Sequence, residues 1–275
     1  MRAPVTSFEL VRPASLPDAL ALMREGGLVP LAGCTDLYVL LNAGITPGQR
    51  FVDLWALDEL RGIDVDRGVV RLGALSTYRE VMSAPAVVGH LPMLVEASRV
   101  VGAQQIHNRG TLGGNIANGS PAGDTLPVLA ALDATVVLAS VDGERRVPFT
   151  SFYTGYRSSV RRGDELIAHI EVPIRAGRQW FRKVGTRAAQ AISKVVMAAV
   201  RSDPPRIALG SVAPTVVRAW ATERALAAGA TLAEARHVLS GEIHPIDDIR
   251  STAAYRHQVA GNLLERFWRD TESAR

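Results

Sequence analysis

The most constraining feature of the sequence is a glycine-rich stretch at residues 106–127, Ile-His-Asn-Arg-Gly-Thr-Leu-Gly-Gly-Asn-Ile-Ala-Asn-Gly-Ser-Pro-Ala-Gly-Asp-Thr-Leu-Pro. Its five glycines are interleaved with Thr, Asn, Ser and Asp. Glycine allows a positive φ and lacks the Cβ atom that would keep a ligand away from the backbone. Successive backbone N–H groups in such turns form concave anion sites, and small polar neighbours add hydroxyls and amides. This composition is typical of a loop that binds a pyrophosphate.

The residues alone also allow a second interpretation of this stretch. Its glycine spacing differs from the dinucleotide fingerprint Gly-x-Gly-x-x-Gly, and the surrounding sequence predicts no strand–turn–helix unit of the βαβ kind. Glycine-rich loops also occur as plain connections between regular elements. A cofactor loop and a structural loop without a ligand therefore both remain open at this point.

A resemblance to a known family favours the cofactor loop. Residues 111–115, Thr-Leu-Gly-Gly-Asn, and their continuation to Asp124 resemble the second flavin-binding motif of the molybdenum hydroxylase flavoproteins. These are the FAD-carrying medium subunits of carbon monoxide dehydrogenase, xanthine dehydrogenase and their relatives. The first motif of that family, commonly Ala-Gly-Gly-Thr-Asp-Leu, is similar to residues 32–37, Ala-Gly-Cys-Thr-Asp-Leu. The two motifs have the right order, and the similarity covers nearly the whole chain.

The resemblance implies an α+β fold of the PCMH-type FAD-binding kind. Such a fold has two α/β subdomains and a C-terminal domain that combines a small antiparallel sheet with helices. We expect FAD-binding subdomain 1 at residues 1–56, FAD-binding subdomain 2 at residues 57–177, and the C-terminal domain at residues 178–275. The hydrophobic pattern of the first part independently predicts a β-α-β-turn-α-β order.

Local signals predict the regular elements. Ser15 and Thr231 are typical helix N-caps, and Thr77 with Glu80 predicts a capping box. The segment before Asp203-Pro204-Pro205 has the alanines of a helix and the valines of a strand, and the resemblance favours a hairpin with residues 206–212. The glycine-rich stretch is expected to be a loop. The other predicted strands are residues 8–11, 28–31, 50–54, 62–65, 69–72, 134–139 and 165–172, and the predicted helices are 37–41, 92–101, 219–228, 232–239 and 251–269.

The resemblance also implies the cofactor-binding residues. In the family, FAD lies between the two N-terminal subdomains, and both glycine motifs hold its pyrophosphate through backbone N–H groups and the Thr35 and Thr111 hydroxyls. Asp124 matches an aspartate that contacts FAD, although its local sequence is also typical of a helix cap. Leu166 corresponds to an apolar residue beside the flavin. Lys183 corresponds to a lysine near the polar end of the flavin, with a solvated surface charge as the alternative. The expected cofactor-binding residues are Leu31, Ala32, Gly33, Cys34, Thr35, Asp36, Leu37, Thr111, Leu112, Gly113, Gly114, Asn115, Asp124, Leu166 and Lys183.

Cys34 departs from the family pattern, since many members have glycine at this position. A small buried thiol that contributes to packing is the common role of such a residue. A redox role is the alternative, and it would require an activated thiolate in an electropositive environment. His107 stands where arginine is common, and we interpret it as a packing residue. None of the six histidines has metal-ligand spacing to a carboxylate cluster, so no metal site is predicted.

Composition restricts the class of protein. With 47% hydrophobic and 21% charged residues, the 275-residue chain can bury a sizeable core in one large domain or two to three small ones. No apolar run approaches the ~18 residues of a membrane span, and the first residues lack the apolar core of a signal peptide. We therefore expect a cytoplasmic location.

The net charge of +4 comes from scattered basic residues without the clustered stripe that nucleic-acid binding needs. Lys183 and Lys194 are the only lysines in an arginine-rich chain, which favours a specific role for Lys183.

The resemblance implies an electron-transfer function. In the family, substrate is oxidised at a molybdopterin cofactor in a large subunit, and electrons pass through two [2Fe–2S] clusters of a small subunit. The FAD of the medium subunit then passes them to NAD, a quinone, oxygen or a carrier. A single cysteine excludes a four-thiolate cluster on this chain alone, so the electron donor is expected on another polypeptide, and the resemblance implies a heterotrimer or its dimer. No catalytic acid or base is predicted here, because the flavin performs the redox chemistry. Two alternatives remain, a free-standing FAD-dependent oxidoreductase and a non-catalytic flavoprotein assembly subunit.

Overall fold

The computed structural model describes residues 8–45, 48–188 and 190–272. The described residues form sheets of three, five and four strands and a two-stranded ribbon. Three clusters of buried apolar side chains lie in series along this arrangement. One lies between the first sheet and the second, one between the second sheet and the third, and one between the third sheet and the C-terminal helices. This mixed architecture confirms the predicted α+β class.

The first part of the chain has the predicted β-α-β-turn-α-β order. Its strands form a parallel sheet of order β1-β3-β2. Ser15 accepts a hydrogen bond from the Asp18 backbone N–H and so begins the first helix, as its sequence predicted. The elements are β1 (Glu9–Val11), α1 (Leu16–Glu25), β2 (Val29–Leu31), α2 (Leu37–Asn42) and β3 (Arg50–Asp53).

The second part contains an antiparallel sheet of order β4-β5-β10-β6-β7 and six short helices. The Thr77 hydroxyl and the Glu80 carboxylate form the predicted capping box at the start of α3. The strands are β4 (Ile63–Asp66), β5 (Val69–Gly73), β6 (Thr135–Ser140), β7 (Gly143–Pro148), β8 (Tyr153–Gly155), β9 (Ser158–Ser159) and β10 (Leu166–Pro173). The helices are α3 (Tyr78–Ser83), α4 (Pro85–His90), α5 (Pro92–Arg99), α6 (Gln104–Arg109), α7 (Leu112–Asn118) and α8 (Leu126–Ala131).

The third part is an antiparallel sheet of order β11-β12-β13-β14 covered by three helices. The predicted hairpin is confirmed, because Val196 pairs with Gly210 and Val200 with Arg206. Thr231 forms a capping box with Glu234, and Thr252 caps the last helix. The elements are β11 (Arg178–Val184), β12 (Val195–Arg201), β13 (Arg206–Gly210), β14 (Val217–Arg218), α9 (Trp220–Ala227), α10 (Leu232–Glu242) and α11 (Ala253–Asp270). Within the described ranges, no helix has the length and apolar character needed to cross a bilayer.

The glycine-rich stretch differs from its prediction, because most of it is helical. Residues 104–118 form α6 and α7, separated by Gly110 and Thr111. Glycine disfavours helices by up to about 1 kcal/mol per residue, yet tertiary hydrogen bonds hold the first turn of α7 in place. The backbone N–H groups of Leu112 and Gly113 donate to the carbonyls of Ser76 and Ala74 at 2.9 Å each. The prediction of a loop was wrong because these acceptors are remote in sequence.

Candidate functional site

A cleft of about 360 Å³ lies between the first and second parts of the chain. One wall is formed by residues 29–37, which end β2 and lead into α2. The opposite wall is formed by the start of α7, and apolar side chains such as Leu60, Leu75 and Leu166 complete the lining. The two glycine motifs therefore face each other across this cleft.

A larger cavity of about 830 Å³ opens between the second and third parts of the chain. Its lining includes Asp124 and Lys183 together with Ser193 and Arg256. The two cavities meet, because five residues line both of them. These shared residues are Thr35, Asp36, Tyr78, Asn115 and Asn118.

The first motif, residues 32–37, has free backbone donors. Among the described residues, none accepts a hydrogen bond from the N–H groups of residues 33–37. A Cβ atom added at Gly33 would overlap the carbonyl oxygen of Arg109. Glycine is required here because the backbones of the two walls touch at this point. The motif thus offers a row of unpaired N–H groups at the edge of the cleft.

Cys34 adopts a left-handed backbone conformation within this motif, with φ of +64°. This region favours glycine, which explains why the family commonly has glycine at the equivalent position. The Cys34 thiol donates to the Ala32 carbonyl oxygen at 3.3 Å. Burial raises the pKa of the thiol, and the nearby Arg109 guanidinium opposes this only in part. A thiol with a raised pKa is not an activated thiolate, and this favours the packing interpretation.

In the second motif, residues 111–115, the backbone N–H groups of residues 112–115 are engaged by the protein. The Gly114 N–H donates to the Thr111 hydroxyl oxygen at 3.1 Å, and the Asn115 N–H donates to the Thr111 carbonyl. A Cβ atom at Gly113 would lie 2.7 Å from the carbonyl oxygen of Ala74. Leu112 is completely buried in the core and lines neither cavity. The glycines of this motif allow close packing of the protein against itself.

The side chain of Asn115 remains available at the junction of the two cavities. Its Oδ1 accepts from the Thr125 hydroxyl at 2.6 Å, which leaves the amide N–H groups without a partner among the described residues. Nearby, Asn118 donates to the Asp36 carboxylate at 3.1 Å and accepts from Arg157 at 3.2 Å. The free N–H groups of the first motif and the Asn115 amide form a donor set that fits the diphosphate of a dinucleotide.

Asp124 and Lys183 form a buried ion pair in the larger cavity. The Lys183 Nζ atom donates to Asp124 Oδ2 at 2.6 Å and to the Val100 carbonyl at 3.1 Å. Ser193 donates to the other carboxylate oxygen at 2.5 Å. Burial raises the pKa of Asp124, and the Lys183 ammonium opposes this shift. Thr125 is the N-cap of α8 and no described backbone N–H donates to the Asp124 carboxylate, so the helix-cap interpretation of Asp124 was wrong. The solvated-surface interpretation of Lys183 was also wrong, because its side chain is only 11% exposed.

The structure separates two of the residues expected near the flavin. Leu166 lies at the start of β10 and lines the smaller cleft, whereas Lys183 lies on β11 and lines the larger cavity. Leu31, Ala32 and Leu37 line the smaller cleft. His107 lies in α6 and has a buried Nε2 atom without a hydrogen-bond partner in the described ranges. Across those same ranges, no group of three or more potential metal ligands occurs.

Several residues of the site carried no sequence signal. Tyr78 directly follows the capping residue Thr77, but nothing in its local sequence indicates that it reaches both cavities. Ser193 and Asn118 are single polar residues with ordinary neighbours. Their roles at the site depend on Asp124 and Asp36, which lie 69 and 82 positions away in the sequence.

Two family descriptions match the chain. "FAD binding domain in molybdopterin dehydrogenase" matches residues 6–175, and "CO dehydrogenase flavoprotein C-terminal domain" matches residues 180–271. Among curated relatives, the carbon monoxide dehydrogenase medium chain of Hydrogenophaga pseudoflava is 31% identical, covering 94% of this chain and 95% of the relative. The glyceraldehyde dehydrogenase medium chain of Sulfolobus acidocaldarius is 30% identical, covering 96% and 98%.

Solved structures give the same result. A carbon monoxide dehydrogenase chain from Hydrogenophaga pseudoflava superposes with a TM-score of 0.88 at 31% identity, covering 97% of this chain and 96% of that chain. Quinoline 2-oxidoreductase from Pseudomonas putida 86 superposes with a TM-score of 0.91 at 26% identity, covering 98% of each chain. The facing glycine motifs, the family matches and these structures agree. The chain therefore belongs to the FAD-binding medium subunits of the molybdenum hydroxylases, the flavoprotein family of the carbon monoxide and xanthine dehydrogenases.

Proposed function

We propose that this chain binds FAD across the junction of its two cavities and transfers electrons from iron–sulfur clusters of a partner subunit to an external acceptor. The observation that carries the proposal is the row of N–H groups at residues 33–37, which donate to no described residue; within this row Thr35 and Asp36 line both cavities. Such a row can hold a diphosphate without a full positive charge. The bound FAD would supply the isoalloxazine, the group that accepts and donates electrons.

The two cavities suit the two ends of the dinucleotide. The larger cavity fits the larger isoalloxazine ring and offers the Lys183 ammonium and the Asp124 carboxylate near its polar edge. The smaller cleft is lined by apolar side chains including Leu166, and it fits the adenine ring. In this arrangement Leu166 and Lys183 contact different parts of the same cofactor. The protein then binds and orients the flavin and excludes water from it, without a side chain acting as acid or base.

The proposed cofactor-binding set follows from this arrangement. The first motif supplies backbone donors and the Thr35 hydroxyl, and the second supplies the Asn115 side chain and the rigid wall. Leu112 supports that wall from the core. The full set remains Leu31, Ala32, Gly33, Cys34, Thr35, Asp36, Leu37, Thr111, Leu112, Gly113, Gly114, Asn115, Asp124, Leu166 and Lys183. We also propose that residues 1–56 and 57–177 act as the two FAD-binding subdomains and residues 178–275 as the C-terminal domain.

The proposed partners are a small [2Fe–2S] subunit and a large molybdopterin subunit, in a heterotrimer or its dimer and in the cytoplasm. The support is that the similar proteins are named as medium chains or subunits. The described part of the chain offers no cluster of metal ligands of its own. A stable interface of this kind buries on the order of 1,200–2,000 Å² or more.

Two measurements test the proposal. The purified chain should bind about one FAD per molecule, seen as flavin absorbance that remains after gel filtration. Native mass and metal analysis of the complex from the source organism should show iron and molybdenum together with this chain. A lone FAD protein that turns over a substrate without either metal would contradict the assignment, and so would a chain that retains no flavin.

A further inference from the structure

Tyr78 is a buried residue whose hydroxyl has no hydrogen-bond partner among the described residues. The residue is 3% exposed, and it lines both cavities where they meet. In the described part of the chain, no group forms a hydrogen bond with its hydroxyl. The hydroxyl oxygen itself is not sealed from the cavities, so it can bond to water or to a ligand at their junction.

The position of Tyr78 is fixed by the second glycine motif. It is the first residue of α3, held by the capping box of Thr77 and Glu80. Its backbone N–H donates to the Gly110 carbonyl at 3.2 Å, and Thr77 forms a β-bridge with Thr111. A Cβ atom added at Gly110 would lie 2.8 Å from the Tyr78 ring. The ring thus packs against the residue that precedes the motif, so its hydroxyl has a defined place at the junction.

The Tyr78 hydroxyl is suited to donate a hydrogen bond there. Burial raises the pKa of Tyr78, and the carboxylates of Asp36 and Asp124 raise it further. The phenol therefore keeps its proton at neutral pH. The first motif contributes Thr35 and Asp36 to the same junction, and the N–H groups of residues 33–37 donate to no described residue. An anionic acceptor between these groups would satisfy both sides of the junction.

We propose that Tyr78 is a cofactor-binding residue whose hydroxyl donates a hydrogen bond to the diphosphate of FAD. This inference rests on the proposed function, because it requires FAD to cross the junction of the two cavities. The Tyr78 hydroxyl then supplies a neutral donor from the second part of the chain, in addition to the backbone donors of the first part. In the second motif the backbone N–H groups of residues 112–115 are engaged, so Tyr78 joins the Asn115 side-chain amide as a donor on that side.

The test is the variant Tyr78→Phe, which removes the hydroxyl and keeps the ring. A hydrogen bond to a charged group contributes enough to predict a loss of about 10- to 100-fold in FAD affinity. The affinity of ADP, which carries a diphosphate but no flavin, should fall by the same factor. The unfolding midpoint of the apo chain should not change, because the hydroxyl bonds to no described residue. Affinities are measured by titration of apo protein with FAD and with ADP.

Tyr153→Phe is the matched control. Its hydroxyl donates to the Ile116 carbonyl at 2.8 Å, and the residue lines neither cavity. This variant should lower the unfolding midpoint of the apo chain and change FAD affinity by less than about threefold.

Three results would overturn the inference: an unchanged FAD affinity in Tyr78→Phe, a loss for FAD without a loss for ADP, or a lowered apo midpoint. Failure of the wild-type chain to bind FAD would instead overturn the proposed function, and the inference with it.

Discussion

The two glycine motifs face each other across one cleft, yet they differ in where their backbone hydrogen bonds go. In the first motif, the N–H groups of residues 33–37 donate to no residue in the described ranges. In the second, the N–H groups of residues 112–115 all donate to protein oxygens. The first motif therefore has N–H groups available to bind an anion, whereas those of the second motif already stabilise the wall of the cleft that faces it.

Glycine has two separate uses within this one site. Gly113 lacks a Cβ atom so that α7 can approach Ala74, and Gly33 lacks one so that the two walls can touch at Arg109. Cys34, in contrast, occupies a position where glycine would be favoured for its backbone conformation. A glycine-rich motif is thus a combination of packing and conformational requirements, and only part of it needs to contact the ligand.

The largest effect is expected at the contact between the two walls. In Gly33→Ala, the new Cβ atom would overlap the backbone carbonyl of Arg109, which cannot move without displacing α6. We expect the free energy of unfolding to fall by more than about 4 kcal/mol. Urea denaturation of the apo chain measures this free energy of unfolding.

Gly89→Ala is the control for this prediction. Gly89 lies in α4 with open space around its Cα atom, so alanine should stabilise the helix by up to about 1 kcal/mol. A wild-type denaturation midpoint in Gly33→Ala would show that the two walls do not touch.

The segment that follows the second motif is held by a buried ion pair, and breaking it should have the next largest effect. Lys183→Met leaves the Asp124 carboxylate buried without its cation, and we expect a loss of about 3 kcal/mol at neutral pH. Lys194→Met is the control, because Lys194 only lies over the Tyr255 ring, 5.2 Å from its centroid. That variant should lose no more than about 1 kcal/mol.

The loss in Lys183→Met should depend on pH with a defined sign. The folded-state pKa of Asp124 is already raised by burial, and removing the ammonium that lowers it raises it further. An acid with a raised folded-state pKa stabilises the fold below its unfolded pKa, and this contribution is lost as the pH rises through the folded pKa. The deficit relative to wild type should therefore shrink as the pH falls from 7 towards 4. A pH-independent deficit in denaturation experiments would exclude Asp124 as its origin.

The two threonines give a direct test of the comparison between the motifs. The Thr111 hydroxyl caps α7, so Thr111→Ala should destabilise the apo chain by about 1 kcal/mol. The Thr35 hydroxyl bonds to no described residue, so Thr35→Ala should leave apo stability unchanged and weaken FAD binding about tenfold. Denaturation of both apo variants measures their stability, and titration with FAD measures their affinity for the cofactor. Equal effects of the two substitutions on stability would contradict the distinction between a first motif that binds the cofactor and a second motif that supports the fold.

The smallest effect is expected at Cys34. Cys34→Gly removes the cost of a left-handed non-glycine residue but adds backbone entropy to the unfolded chain. We expect a net stabilisation of about 0.5 kcal/mol and unchanged reduction kinetics of the bound flavin. Arg67→Gly, at an exposed turn residue with φ of +47°, is the matched control for the conformational contribution. A hundredfold slower transfer to the acceptor in Cys34→Gly, with FAD still bound, would assign the thiol a redox role.

Much of the fold could be predicted because its signals are local. The Ser15, Thr77 and Thr231 caps act within three residues, and each begins a helix where its sequence predicted. The element order of the first part followed from short hydrophobic patterns. The β12–β13 hairpin followed from the family resemblance, because its local pattern also fitted a helix. The family resemblance also predicted that the two glycine motifs would face each other, and they form opposite walls of one cleft.

The helix starts and the two motifs could be predicted from the sequence, since each depends on residues that are neighbours along the chain, and the family resemblance implied the α+β class. The tertiary structure was needed to establish that the glycine-rich stretch is helical, that Leu112 is core, and that Leu166 and Lys183 line different cavities. It also decided the role of Tyr78. The physical reason is that each of these outcomes depends on a partner at long sequence separation. The carbonyls of Ala74 and Ser76 hold α7, and the fold brings Asp36, Tyr78 and Asn115 to one junction.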